Sequence, residues 1–142
     1  MHRLTLAQAN ALIEAALARG AELGLKPLTV VILDPGGHMI ACQRQDGAST
    51  LRVRLAQAKA AGALALGVSS RTIGEMALER PHFVAAIDSM DFGGMVPAAG
   101  GVIITDGVGT ILGAIGITGD TSDNDEACAL AAIEQAGLSP LN

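Results

Sequence analysis

Aromatic side chains are nearly missing: there is no Trp and no Tyr, and Phe83 and Phe92 are the only two rings in 142 residues. Val, Ile, Leu, Met and Ala must therefore fill the core. Lys and Arg number only nine against a net charge of −5, and they are scattered, so the chain carries no electrostatic footprint for nucleic acid or for an acidic membrane surface. No apolar run is long enough to span a bilayer. The N-terminus, Met1-His2-Arg3-Leu4-Thr5, lacks the apolar stretch of a secretory signal. Cysteine is limited to Cys42 and Cys128, which form no CxxC, so free thiols and a cytoplasmic location are expected.

Small residues are abundant instead. Eighteen glycines and several alanine-rich stretches let backbones approach closely, which favours tight helix-on-sheet or subunit contacts. A positive mean hydropathy without a membrane span points to apolar surface hidden by self-association. The length fits a single domain over residues 1–142.

Apolar residues Leu6, Ala9, Ile13, Ala16 and Leu17 recur at helical spacing, predicting a helix from Thr5 to Leu23 with a Thr5/Gln8 capping box and Gly24 at its end. The β-branched run Leu28–Leu33, the turn Asp34-Pro35-Gly36-Gly37 and the run His38–Arg44 predict a hairpin. Ser49 or Thr50 caps a helix to Leu66, and Thr72 with Glu75 caps a short one that ends before Arg80-Pro81. A Gly-, Met- and Pro-rich stretch, Asp91 to Gly101, follows, in which Met95-Val96-Pro97 is a candidate edge strand. Val102–Thr105 and Thr110–Ile117 form a second hairpin, and Thr121 or Ser122 caps a last helix to about Gly137.

Sliding the chain by 72 positions lays Val30 on Val102, Asp34 on Asp106, Gly37 on Gly109 and Ser49 on Thr121. The fold class expected is α+β: an antiparallel sheet of about five strands, built from two hairpin–helix units and covered by helices because its strands are apolar on both sides.

Five motifs in order, Asp34-Pro35-Gly36-Gly37-His38-Met39-Ile40-Ala41, Asp46-Gly47-Ala48, Ala58-Lys59-Ala60, Pro97-Ala98-Ala99-Gly100-Gly101 and Gly113 to Gly119, with Asp125-Glu126 opening the last helix, resemble the GlcG/HbpS family, which includes the C-terminal domain of PduO. The resemblance covers nearly the whole chain. It implies a profilin- or PAS-like sheet, homo-oligomers from dimer to octamer, haem as a cofactor in some members, and an accessory role beside catabolic enzymes for small acids or alcohols.

Within that frame His38, following Gly36-Gly37 at the start of a strand, is the first candidate as haem iron ligand or general base; the alternative is a histidine hydrogen-bonded within its turn. Cys42 would lie on the same strand face about 13 Å away, at roughly 3.3 Å per residue, too far to share one metal, and reads as a core hydrophobe like Cys128. Arg52 and Lys59 share one helical face and form a candidate clamp for propionates or a substrate carboxylate, with a solvated charged face as the alternative. Arg71 is a further carboxylate candidate.

Gly100-Gly101 reads either as close packing against a ligand or subunit, or as a plain bend. Asp120, Asp123, Asp125 and Glu126 lack the glycine and glutamate of a calcium loop and suit a helix N-terminus, while Asp125 also matches a family position. Two functions follow: a small-ligand, haem-binding module, or an enzyme in which His38 and Lys59 act on a small carboxylic acid by proton transfer, in a pocket shared with Arg71 and Gly100-Gly101.

Overall fold

A computed structural model describes residues 2–90 and 92–141. Asp91, at the start of the glycine-rich stretch, lies outside the described residues. Five helices and five strands follow in the order α1 (Leu6–Glu22), β1 (Thr29–Leu33), β2 (Met39–Arg44), α2 (Arg52–Leu66), α3 (Ser70–Glu79), α4 (Pro81–Asp88), β3 (Gly101–Thr105), β4 (Ile111–Thr118), α5 (Ser122–Gln135) and β5 (Ser139–Leu141). The strands form one antiparallel sheet in the order β2-β1-β4-β3-β5.

Alternation along β1 divides the core. Val30 and Ile32 point to a layer made by α1 and α5, together with Val102, Ile104, Ile115 and Ile117. Val31 and Leu33 point to the opposite face, where α2 lies across the sheet on Ala56, Ala60 and Ala61. Outside α2, the helices α3 and α4 enclose a smaller apolar cluster around Ile73, Val84 and Met95. All five β1 residues are buried because both faces are covered.

The alanine and glycine load has its reason here. A Cβ on Gly116 in β4 would stand 2.0 Å from the Ala56 carbonyl oxygen, and one on Gly101 in β3 would stand 2.2 Å from that of Lys59. The backbone of α2 therefore rests directly on the sheet.

The 72-residue echo is real in the hairpins. Asp34 N–H donates to the His38 carbonyl, and its Oδ1 accepts from Gly36 and His38 N–H; Asp106 makes the same three bonds with Thr110, Val108 and Thr110. Each hairpin also carries an irregularity at the equivalent place, Ile32/Leu33 and Ile104/Thr105. The helices break the repeat, because α2 covers one face and α5 the other.

Several local expectations are corrected. The fifth strand is β5, pairing with β3, and not Met95–Pro97, which forms no strand. The α3 cap is Ser69, whose side chain accepts from Thr72 N–H, so Thr72 lies inside the helix. Neither Ser49 nor Thr50 caps α2 with a side chain: Leu51 is its N-cap, and the entry is held by Arg52 N–H to the Ser49 carbonyl. The short helix does end before Arg80-Pro81, at Glu79, but a further helix that was not expected, α4, starts at Pro81, since proline's missing N–H costs nothing at a first helical position. His38 precedes β2, and Ile40 is skipped between the pairs Leu33↔Met39 and Ile32↔Ala41, which breaks the alternation expected to place His38 and Cys42 on one face.

Because no flexible group lies in its path, Gly116→Ala is expected to cost at least about 2 kcal/mol. Gly62→Ala, whose Cβ would meet Met95 Cγ at 3.0 Å and its Cα at 3.2 Å rather than a backbone atom at 2.0 Å, should cost clearly less. Urea denaturation of both variants measures the difference; equal small losses would show that α2 can lift from the sheet.

Candidate functional site

The two ends of the sheet hold different chemistry. At one end β4 runs out through Thr118 towards Asp120, β3 begins at Gly101, and α2 and α5 approach from opposite faces. Lys59 leaves α2, passes the side-chain-free Gly100, and donates from Nζ to the Ile117 carbonyl at 3.0 Å and to Asp125 Oδ2 at 3.3 Å. Asp125 Oδ1 accepts from Asp120 N–H at 3.0 Å. The side chains of Lys59 and Asp125 are 5 % and 1 % exposed, so this is a buried ion pair joining the two helical layers around the sheet's end.

Burial pushes the Lys59 ammonium down from its ordinary pKa and the Asp125 carboxyl up, towards the neutral forms. The Asp120 N–H pulls Asp125 back towards charge, and the mutual attraction of the pair does so for both. With two acceptors at the ammonium and two donors at the carboxylate, the geometry satisfies the charged pair.

Gly100-Gly101 belongs to this packing. A Cβ on Gly100 would stand 2.5 Å from the Ile117 carbonyl oxygen and 2.9 Å from Lys59 Nζ. Gly101 N–H donates to Ser70 Oγ at 2.7 Å, tying α3 to the strand. The glycines make room for this chain's own lysine and helix backbone.

The remaining cations of the expected clamp also have internal partners. Arg52 Nη1 donates to Thr118 Oγ1 at 2.7 Å. Arg71 bridges α3 to α5, donating from Nε to Glu126 at 3.0 Å and from Nη2 to Asp123. Neither the solvated face nor an open carboxylate clamp describes Arg52 and Lys59: one leans on the sheet and the other is sealed.

His38 lies at the other end. The pairs Thr29↔Thr118 and Leu33↔Ala114 run along the sheet away from Lys59 towards the two Asp turns, so His38 and Lys59 are separated by most of the length of β1. The His38 ring is 82 % exposed, and its Nδ1 stands 3.3 Å from Asp34 Oδ1. Burial alone would raise the Asp34 pKa, but the His38 and Gly36 N–H groups and the facing imidazole hold it below the usual carboxylate range. Gly36 leaves the space the ring uses, since a Cβ there would stand 3.0 Å from His38 Nδ1 and Cε1; Gly37 takes the left-handed φ of +86° that closes the turn. Met39 is exposed beside the ring, and Val108 and Ile111 are exposed on the equivalent turn at the same end.

The chain therefore does not gather His38, Lys59, Arg71 and Gly100-Gly101 into one pocket. The two thiols are free and lie in different layers, Cys42 half-buried against α2 and Cys128 buried between α5 and α1. No group of three or more His, Cys, Asp or Glu suited to a metal occurs among the described residues. Among them, too, no helix is long and apolar enough to cross a membrane.

The HbpS-like family, described as haem-degrading protein HbpS-like, matches residues 4–134. The chain belongs to this family. No curated protein sequence matches it.

Solved structures with the same fold include a PduOC:heme complex, 23% identical with a TM-score of 0.85 over 99% of each chain. Klebsiella pneumoniae protein ORFY is 21% identical with a TM-score of 0.85, over 96% of this chain and 92% of that one. A double mutant of Streptomyces reticuli HbpS is 24% identical with a TM-score of 0.82, over 95% and 88%. At these identities the likeness establishes the profilin-like α+β fold.

One carboxylate beside the ion pair gives this HbpS-like chain a pH signature. Asp120 accepts from Asn124 Nδ2, Lys26 N–H and Thr121 N–H, which together lower its pKa to about 2 from 3.8. Because the folded value lies below the unfolded one, its contribution is complete above pH 3.8 and is lost as the pH falls through about 2. Asp120→Ala should therefore lower the urea midpoint at neutral pH by an amount that shrinks towards zero near pH 2. A gap that stays constant with pH would contradict this role.

Proposed function

We propose that this chain is a haem-binding protein in which His38 supplies an iron ligand and a second copy of the chain completes the site. The observation that carries the reading is the Asp34–His38 contact. A carboxylate against Nδ1 sets the ring's orientation and directs Nε2 outward, the arrangement that metal-binding imidazoles use. The turn beneath is fixed by four hydrogen bonds, so the ligand is held in place before anything binds.

The fit to haem is partial within one protomer. His38 suits the iron, and Met39, Val108 and Ile111 offer apolar contact at the same end of the sheet, on turns about 10 Å apart at roughly two strand spacings. A ring exposed to this degree has no wall over its outer side, and a porphyrin needs both faces covered. A second protomer supplies that cover in this reading, consistent with membership of a family that includes haem-related proteins. When bound, haem would bring redox and oxygen chemistry; His38 and Asp34 would hold and orient it.

The competing reading, acid–base catalysis on a small acid at Lys59, loses its support in the geometry. Lys59 is sealed behind Gly100 and engaged with Asp125.

Titrating the protein with haem should give a saturable Soret shift at one haem per subunit or per pair of subunits. His38→Ala should change the ligand-field spectrum, and Asp34→Asn should keep the spectrum while weakening binding by about tenfold. Arg71→Ala, a half-exposed position at the other end of the sheet, should leave the spectrum untouched. A spectrum unaltered by His38→Ala would remove the ligand assignment, and uptake that never saturates would reduce the binding to non-specific adsorption.

A further inference from the structure

A cleft of about 590 Å³ opens at the far end of the sheet from His38, between the end of α1, the connection into β1 and the segment that leaves β2. Leu25, Pro27 and Ala21 give it an apolar side, and Lys26, Arg44 and Gln45 give it a donor-rich one. These polar groups differ from the cations described above in making no close side-chain contact with an acid, although the Lys26 charge acts on Asp120 from a distance. Lys59, Arg52 and Arg71 each donate to a group of this chain, whereas the side chains of Lys26 and Arg44 make no hydrogen bond or ion pair among the described residues.

Gln45 is the third donor. Its backbone N–H donates to the Leu28 carbonyl at 3.0 Å, and its Oε1 accepts from Leu28 N–H at 2.7 Å, which fixes the carboxamide. The NH2 half is left without a partner among the described residues. An ammonium, a guanidinium fork and an amide NH2 thus border one cavity, against a single acid, Asp46.

The surroundings permit an anion. The end of α1 would repel one through free carbonyls, but those of Arg19, Gly20 and Ala21 accept from Leu23, Leu25 and Gly24 N–H. Glu22 is paired with Arg19, and Asp120, near Lys26, is occupied by three donors. The frame is also rigid: Lys26 N–H is tied to Asp120 at 3.0 Å, and Gly47 packs against the Pro27 ring.

We propose that this cleft is a binding site for a small organic dianion, a short dicarboxylate, with Arg44 and Lys26 taking the two charged ends, Gln45 donating to one of them, and Leu25 and Pro27 lining the aliphatic body. Two cations carried by separate segments can each take one end of a dianion, which a neutral or singly charged ligand cannot engage at both ends. The volume falls within the range of small-molecule sites. The site is separate from the His38 turn and does not depend on haem.

Isothermal titration with succinate tests it, beside butyrate, 1,4-butanediol and inorganic phosphate. Succinate should bind saturably, one per chain, more tightly than butyrate and with affinity falling as salt is raised; butanediol should not bind. Arg44→Ala should weaken succinate binding at least about tenfold, roughly 1.4 kcal/mol, and Asp46→Asn should strengthen it. Both positions are exposed, so unchanged thermal melting should accompany these effects. His38→Ala should leave succinate binding intact, so that failure of the haem reading and failure of this one are told apart. No saturable binding of succinate, equal binding in Arg44→Ala, or phosphate binding as well as succinate would each overturn the proposal.

Discussion

The Lys59–Asp125 ion pair is the constraint on which the arrangement of layers depends. An α/β/α sandwich normally has no direct contact between its outer layers, because the sheet lies between them. Here a lysine from the layer of α2 reaches past the start of β3 and meets an aspartate from α5 on the opposite side. The reach needs Gly100 bare, needs α2 seated against Gly101 and Gly116, and needs the Asp120 backbone turned to donate to Asp125. Three features that look unrelated along the chain, a glycine pair, an alanine-rich helix and an acidic helix start, are parts of one packing solution.

That solution decides where ligands can bind. Carboxylates of the chain itself take the place a substrate carboxylate would have occupied at Lys59 and Arg71, so those two cations are already engaged. What stays open lies elsewhere: the exposed imidazole of His38 at the tip of the first hairpin, and the unpaired donors of Lys26, Arg44 and Gln45 at the other end of that hairpin. In the readings proposed above, the first would take a metal in a flat, apolar group with a second protomer to complete it, and the second a small charged molecule.

Much of this was legible in the sequence. The Asp-Gly turns named both hairpins and their shared geometry, because an aspartate accepting from N–H groups two and four residues on is local chemistry. Thr5 and Thr121 marked their helices for the same reason, and the resemblance carried the fold and the family. Reading failed where the outcome depended on partners distant in sequence. Helix α4 and strand β5 were not foreseen: Pro81 opens the one and Pro140 sits in the other, and proline is compatible with both a first helical position and an edge strand, so it marked neither element by itself. Lys59 and Arg52 were rightly placed on one face, but sequence spacing says nothing of what that face meets. Asp125, 66 positions away, made the difference between a ligand clamp and a closed pair. The donor cleft was missed because Lys26 and Arg44 lie in separate elements without a motif, and only the Leu28–Gln45 pairing brings them to one cavity.

A double-mutant cycle on the buried pair tests the central claim most directly. Lys59→Met alone leaves an unpaired buried carboxylate and should cost about 3 kcal/mol or more. Asp125→Asn keeps an acceptor for the Asp120 N–H while removing the charge. If the pair holds the layers together as charged partners, the double variant should be less destabilised than the sum of the single ones by at least about 2 kcal/mol in urea denaturation. Additive losses would show that Lys59 and Asp125 act independently, and the account of the joined layers would fail with them.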